Sequence, residues 1–134
     1  MKKSKILIVV AVFSFFVLFV LSRCCVFIPE GQGVMIHEDM EREVSLEDSK
    51  TLKKLFNGKW MFPDSPACGF TPEVSVRFGD LYFCPAQDGD SNLCVMRAKK
   101  FGKPEWGLFI IISEEERAAI DEIFEKYGIS FPAF

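Results

Sequence analysis

The sequence predicts an α+β fold: a small two-layer domain with an antiparallel four-stranded meander flanked by two helices, preceded by a single transmembrane helix. Three observations predict it. From Ile6 to Leu21 every residue but Ser14 is apolar, and Lys2, Lys3 and Lys5 precede the run. Two short segments of alternating apolarity flank Gly79-Asp80. Two amphipathic segments with polar capping residues bracket the strand-rich region, one on each side.

Residues 1–5 form a basic n-region and residues 6–28 the apolar segment. Sixteen residues at 1.5 Å each reach about 24 Å, short of a hydrocarbon core of about 30 Å. Extension through Ser22, Arg23, Cys24, Cys25, Val26, Phe27 and Ile28 closes the gap, with the Arg23 guanidinium reaching the outer interface. An uncleaved signal-anchor and a cleaved signal peptide both suit this layout. Cleavage, however, favours small residues at positions −3 and −1, and no A-x-A pattern occurs between Leu21 and Cys25. Lipid attachment at Cys24 or Cys25 is a further alternative: the Leu21-Ser22-Arg23-Cys24 stretch resembles a bacterial lipoprotein processing site, although Arg23 stands where that site carries Gly, Ala or Ser. Basic residues concentrated before the span place the N-terminus in the cytoplasm and residues 29–134 outside.

The next segment, 29–44, reads as a linker. It contains Pro29, Gly31 and Gly33, then the charged run His37 to Glu43, with only Val34-Met35-Ile36 suited to a short strand. The domain proper is expected over 45–134. A helix is predicted from Leu46 to Asn57, since Ser45 can cap it and Leu52, Leu55 and Phe56 share one face. Asn57-Gly58 ends it. Three prolines between Lys59 and Pro72 exclude regular structure throughout that stretch.

Val74–Phe78 and Leu81–Cys84 then form a hairpin. Pairing Phe78 with Leu81 sets Val76 against Phe83 on one face and Arg77 against Tyr82 on the other, so all four large apolar residues fall together. A third strand is expected over Leu93–Ala98. The unalternating run Trp106–Ile112 is expected to be an interior strand covered on both faces. Ser113 to Glu116 is a capping box that opens a second helix, whose stripe is Ile120, Ile123, Phe124 and Tyr127, and Gly128 closes it. The tail Ile129–Phe134 is apolar enough to fold back on the body. Ten of the fifteen phenylalanines lie in 56–134, enough to build a core without invoking a ligand.

Charge excludes one class of partner. The first 28 residues hold four basic and no acidic residues, which leaves twelve basic against nineteen acidic residues downstream, a net charge of −7. Such a body repels a phosphate backbone, so nucleic acid is not an expected partner.

Chemistry-bearing patterns are sparse, and no cofactor or metal is expected. If Phe83 pairs with Val95, Cys84 stands opposite Cys94 and a cross-strand disulfide becomes possible; the alternative is that the cysteines are small buried apolar residues. Zinc is disfavoured, since Cys68, Cys84 and Cys94 lie sixteen and ten positions apart and the single histidine, His37, falls in the linker. Asp88, Asp90 and Asn92 match the start of a calcium loop, yet Leu93 stands at its glycine position and Lys99 at its bidentate glutamate position, so a turn is expected. Glu114, Glu115 and Glu116 diverge around a helix start and cannot converge on a substrate. The chain has no P-loop, dinucleotide glycine pattern, G-x-S-x-G or H-E-x-x-H.

What remains is a contact surface, for which Trp60, Met61, Phe62, Phe131 and Phe134 are the candidates, aromatic residues stiffened by neighbouring prolines. The sequence therefore leads to a membrane-anchored extracytoplasmic binding module without enzymatic activity. Two alternatives stay open: a secreted or lipid-attached inhibitor or protective protein, and a hydrolase with Cys68 or Cys84 as nucleophile.

Overall fold

The structure, a computed structural model, describes residues 2–62, 73–85, 93–97 and 108–131. Helix α1 (Lys2–Cys24) comes first and has no buried residue. With no residue buried, it is not a core helix of the described body; it is long and apolar enough to cross a membrane or to serve as a signal sequence.

The body is an α+β domain. Strands β1 (Val34–His37), β2 (Met40–Glu43), β3 (Val74–Phe78), β4 (Leu81–Pro85), β5 (Leu93–Arg97) and β6 (Leu108–Ile110) form one open antiparallel sheet in the order β2-β1-β3-β4-β5-β6. The four strands expected as a meander follow one another as β3 to β6. The β3–β4 register is the one the alternation predicts, Val76 with Phe83, Arg77 with Tyr82 and Phe78 with Leu81.

Segment 29–44 is not a linker. It folds into the β1–β2 hairpin, and β1 pairs with β3 so that Met35 lies beside Val76. The physical reason is that Met35 is apolar enough to complete the core, being 2% exposed, while β2 remains solvated along its whole length. Gly33 closes the hairpin base through Val44 N–H to Gly33 O (2.8 Å), and its own N–H donates to Ser49 Oγ (3.0 Å) on the following helix.

Helices α2 (Leu46–Phe56) and α3 (Glu114–Lys126) lie on one face of the sheet. Ser45 caps α2 by accepting from Asp48 N–H, and Ser113 with Glu116 forms the predicted capping box on α3. Leu52 and Phe56 from α2 meet Ile120, Ile123 and Phe124 from α3 over Met35, Val76, Phe78 and Phe83. Phe56 stacks on Phe83 with ring centroids 4.4 Å apart. The helices are also tied by polar contacts, since Asp48 accepts from Lys126 Nζ (3.0 Å) and from the Tyr127 hydroxyl (3.1 Å). Burial alone would raise the Asp48 carboxyl, but hydrogen bonds from Lys126, Ser45 and Tyr127 outweigh it and hold the group below the usual carboxylate range.

The opposite face of the sheet carries Ile36, Ser75, Cys84 and Phe109, all buried. Of the run predicted as an interior strand, Leu108–Ile110 is strand and Ile111 and Ile112 beyond it are not, while Trp106 and Gly107 lie outside the described residues. The strand is flanked by β5 on one side and bridged to Phe62 on the other. Its two faces are not both covered throughout: Phe109 and Ile110 are buried, but Ile111 just beyond is 60% exposed.

Candidate functional site

The part of the molecule most unlike an ordinary surface lies where α1 meets the domain. No spacer separates them. Cys25 bridges Trp60 in antiparallel fashion directly after the last helical residue, and Phe62 bridges Phe109. Met61 N–H donates to Cys24 O (2.7 Å), which gives one of the orphan carbonyls at the end of α1 a partner from the domain. Val26 N–H donates to Lys59 O (2.9 Å), and Gly58 N–H returns to Val26 O (2.9 Å). Phe62 and Phe109 exchange both backbone hydrogen bonds, at 2.7 and 2.8 Å. The sheet therefore continues past β6 through residues 59–62 to residues 25–28, although these are too short to count as strands.

Side chains alternate across this ladder as they do in any strand. Val26, Met61, Ile110 and Ile112 point into the core and are at most 4% exposed. Their neighbours Phe27, Trp60, Phe62 and Ile111 point the other way and are 42–60% exposed. The register that pairs Phe62 with Phe109, continued by two residues, sets Trp60 level with Ile111. Four large apolar residues from three separate stretches of sequence are thus gathered on one outward surface.

Lys59 locks the ladder to α3. Its ammonium contacts Glu116 Oε2 at 2.9 Å and Ile111 O at 3.2 Å, while the same Glu116 oxygen accepts from Ser113 N–H at 2.8 Å. Burial would raise the Glu116 carboxyl; the Ser113 backbone and Lys59 reverse that and lower it below its ordinary value.

The candidates named from sequence divide accordingly. Trp60 and Phe62 lie on the outward surface. Met61 does not: it is core, because the alternation that exposes its neighbours turns it inward. Phe131 is also spent on the protein's own core, packing against Phe124 at 5.4 Å with the Arg117 guanidinium 5.0 Å above its ring. Phe134, Cys68 and the Asp88–Asn92 stretch lie outside the described residues. Phe27 and Ile111 are surface members that sequence reasoning misses, the first hidden as the tail of an apolar run and the second inside an unalternating one.

The β4–β5 register sets Phe83 opposite Val95 and Cys84 opposite Cys94, as expected. Cys84 is buried beside Phe109 and Tyr82, and Cys24 and Cys25 are half-buried at the junction. His37 ends β1 opposite Val74. Among the described residues, no three His, Cys, Asp or Glu side chains are grouped so as to hold a metal ion. Comparison with protein-family models, curated proteins and solved structures finds no match.

Proposed function

We propose that this protein is a single-pass membrane-anchored module, with α1 retained as an uncleaved signal-anchor, its N-terminus in the cytoplasm and residues 29–134 outside. It acts by binding rather than catalysis, and the outward surface of Phe27, Trp60, Phe62 and Ile111 is its contact surface. The observation that carries the proposal is that residues 24–28 end the apolar helix and at the same time build the domain: Val26 is fully buried and Cys24 O is hydrogen-bonded to Met61 N–H. Anchor and domain share residues, which supports a product in which both persist together. Four exposed large apolar side chains on one surface, away from the core, support binding.

Membrane fractionation and intact mass test the anchor. The expected result is a chain resistant to alkaline extraction with its mass beginning at Met1; a soluble product beginning near Cys24 would overturn it. A reporter active only in the cytoplasm, fused after Phe134, should be silent. Photocrosslinkers compare the contact surface with an exposed apolar residue elsewhere: substitution at Phe62 should yield adducts that substitution at Leu46 does not. In an oxidising compartment the Cys84–Cys94 register also favours a disulfide, formed as two thiols lose two protons and pass two electrons to a protein or small-molecule disulfide. Intact mass under denaturing alkylation, with and without reduction, should differ by two blocked thiols; equal blocking in both samples would refute the bridge.

A further inference from the structure

Resting on that anchored reading, we infer that the occupant of the outward surface is the membrane itself: Phe27, Trp60, Phe62 and Ile111 seat the domain in the headgroup layer of the outer leaflet. The argument is one of depth. A hydrocarbon core of about 30 Å takes about 20 helical residues. Counted from Ile6, the first residue of the apolar run, twenty residues end at Cys25. Cys25 is the residue bridged to Trp60. Directly opposed residues in an antiparallel pair stand within about 5.5 Å of each other, so Trp60 is held at the level where the hydrocarbon ends. That is the depth at which tryptophan is enriched in membrane proteins, its ring apolar and its indole N–H wet.

The surroundings agree. Phe27 follows Cys25 by two residues and faces the same way, and Phe62 and Ile111 extend the surface from the neighbouring segments. The nearby charges are Arg23, whose guanidinium lies 5.7 Å from the Phe19 ring, Lys59, which is paired with Glu116, and the exposed Glu30 three residues beyond Phe27. The exposed acids Glu41 and Glu43 sit on β2, at the far end of the sheet order. The four side chains of the surface are themselves uncharged, so an acidic body turns an apolar aromatic patch toward the lipid. The backbone ladder leaves no tether that could swing this surface away, because Met61, Lys59 and Gly58 are hydrogen-bonded to Cys24 and Val26.

The test uses the full chain reconstituted in phosphatidylcholine vesicles that carry a nitroxide either near the headgroup or at mid-chain. Three proteins are compared: the native chain, Trp60→Phe, and Trp60→Phe combined with Leu46→Trp. Trp106 is native in all three, so differences isolate one indole. The Trp60 signal should be blue-shifted and about twofold more quenched by the shallow than by the deep nitroxide; its iodide quenching should be about threefold weaker than that of the indole at position 46. Vesicle flotation with Trp60 as open to iodide as position 46 would overturn the inference while leaving the anchor standing. Protection from iodide without nitroxide quenching would also overturn it, pointing to a second copy or another protein on the surface. Failure to float would remove the anchored reading, and the inference with it.

Discussion

The two ends of the sheet present opposite solutions to one problem. An edge strand exposes unpaired backbone groups and invites association. At one end β2 answers with brevity and charge: Met40, Glu41, Arg42 and Glu43 are all exposed, and Glu41 pairs with Arg77 across β1. At the other end the outermost segments carry Phe27, Trp60 and Phe62 to the surface with no such defence. An aromatic edge of this kind would be a liability in water, and the inferred membrane contact would remove that liability. The difference teaches that the sheet is polarised along its strand order, one end charged and solvated and the other carrying exposed aromatic side chains where it joins α1.

The largest expected effect comes from making the same substitution at both ends. Met61 is buried where the ladder enters the core, and Met40 is 64% exposed at the solvated end. Met61→Ala should cost about 2–5 kcal/mol, the range for truncating a buried long aliphatic side chain. Met40→Ala should stay within about 0.5 kcal/mol. Denaturant midpoints of the reconstituted domain measure both. Equal losses would mean that residues 59–62 are not part of the core and would break the comparison at its root.

Next comes Gly33, where the first hairpin meets the core. A Cβ there would stand 2.8 Å from Cε1 and Cζ of Phe78 and 3.2 Å from Val76 Cγ2. Phe78 is buried and cannot move away freely, so Gly33→Ala should destabilise by about 1–3 kcal/mol through overpacking. Phe78→Leu in the same chain should recover part of that loss, measured again by denaturation. Without recovery, the strain lies in the backbone and not in this contact.

Acid should expose a smaller asymmetry. Glu116 joins Lys59 in the ladder and its folded carboxyl is lowered, so its stabilisation is complete above the unfolded value of about 4.3 and fades as pH falls through the lower folded value. Asp48 behaves in the same direction. Glu116→Gln should therefore flatten the acid limb of the stability curve and cost about 1 kcal/mol near neutral pH. Glu41→Gln at the solvated end should cost about 0.5 kcal/mol or less and lose its effect in high salt, because the Glu41 side chain is 56% exposed. Thermal unfolding across pH and ionic strength separates the two.

How much of this is legible in the residues depends on how local the signal is. The β3–β4 register is legible because five alternating positions and a two-residue turn admit one pairing that puts Val76, Phe78, Leu81 and Phe83 on a single face. The capping box of α3 is equally local. The β1–β2 hairpin is not, since its turn is Glu38-Asp39 without glycine or asparagine and β2 has no apolar alternation to betray it. The candidate surface is legible only at Trp60 and Phe62. Cys25 to Ile28 reads as the tail of a membrane run, and its partners at 58–61 lie more than thirty positions away, so nothing short-range marks Val26 as core and Phe27 as surface. Met61 fails as a contact residue for the same reason: three residues before a proline are too few to show a period of two.

An effect of the opposite sign belongs to the solvated end itself. Glu38, in the β1–β2 turn, has φ of 56°. A side chain in that region costs about 1–2 kcal/mol relative to the right-handed basin, and glycine removes the penalty. Glycine also widens the unfolded ensemble, which offsets part of the gain. The Glu38 N–H bond to Glu73 O (2.7 Å) is a backbone contact and survives the change. Glu38→Gly should therefore stabilise by at most about 1 kcal/mol. It should also leave vesicle binding and Trp60 emission untouched, because the turn lies at the opposite end of the sheet order from Trp60 and α1. A change in Trp60 emission on altering Glu38 would mean that the two ends communicate through the sheet, and the polarity described above would then be a property of one coupled unit rather than of two independently built edges.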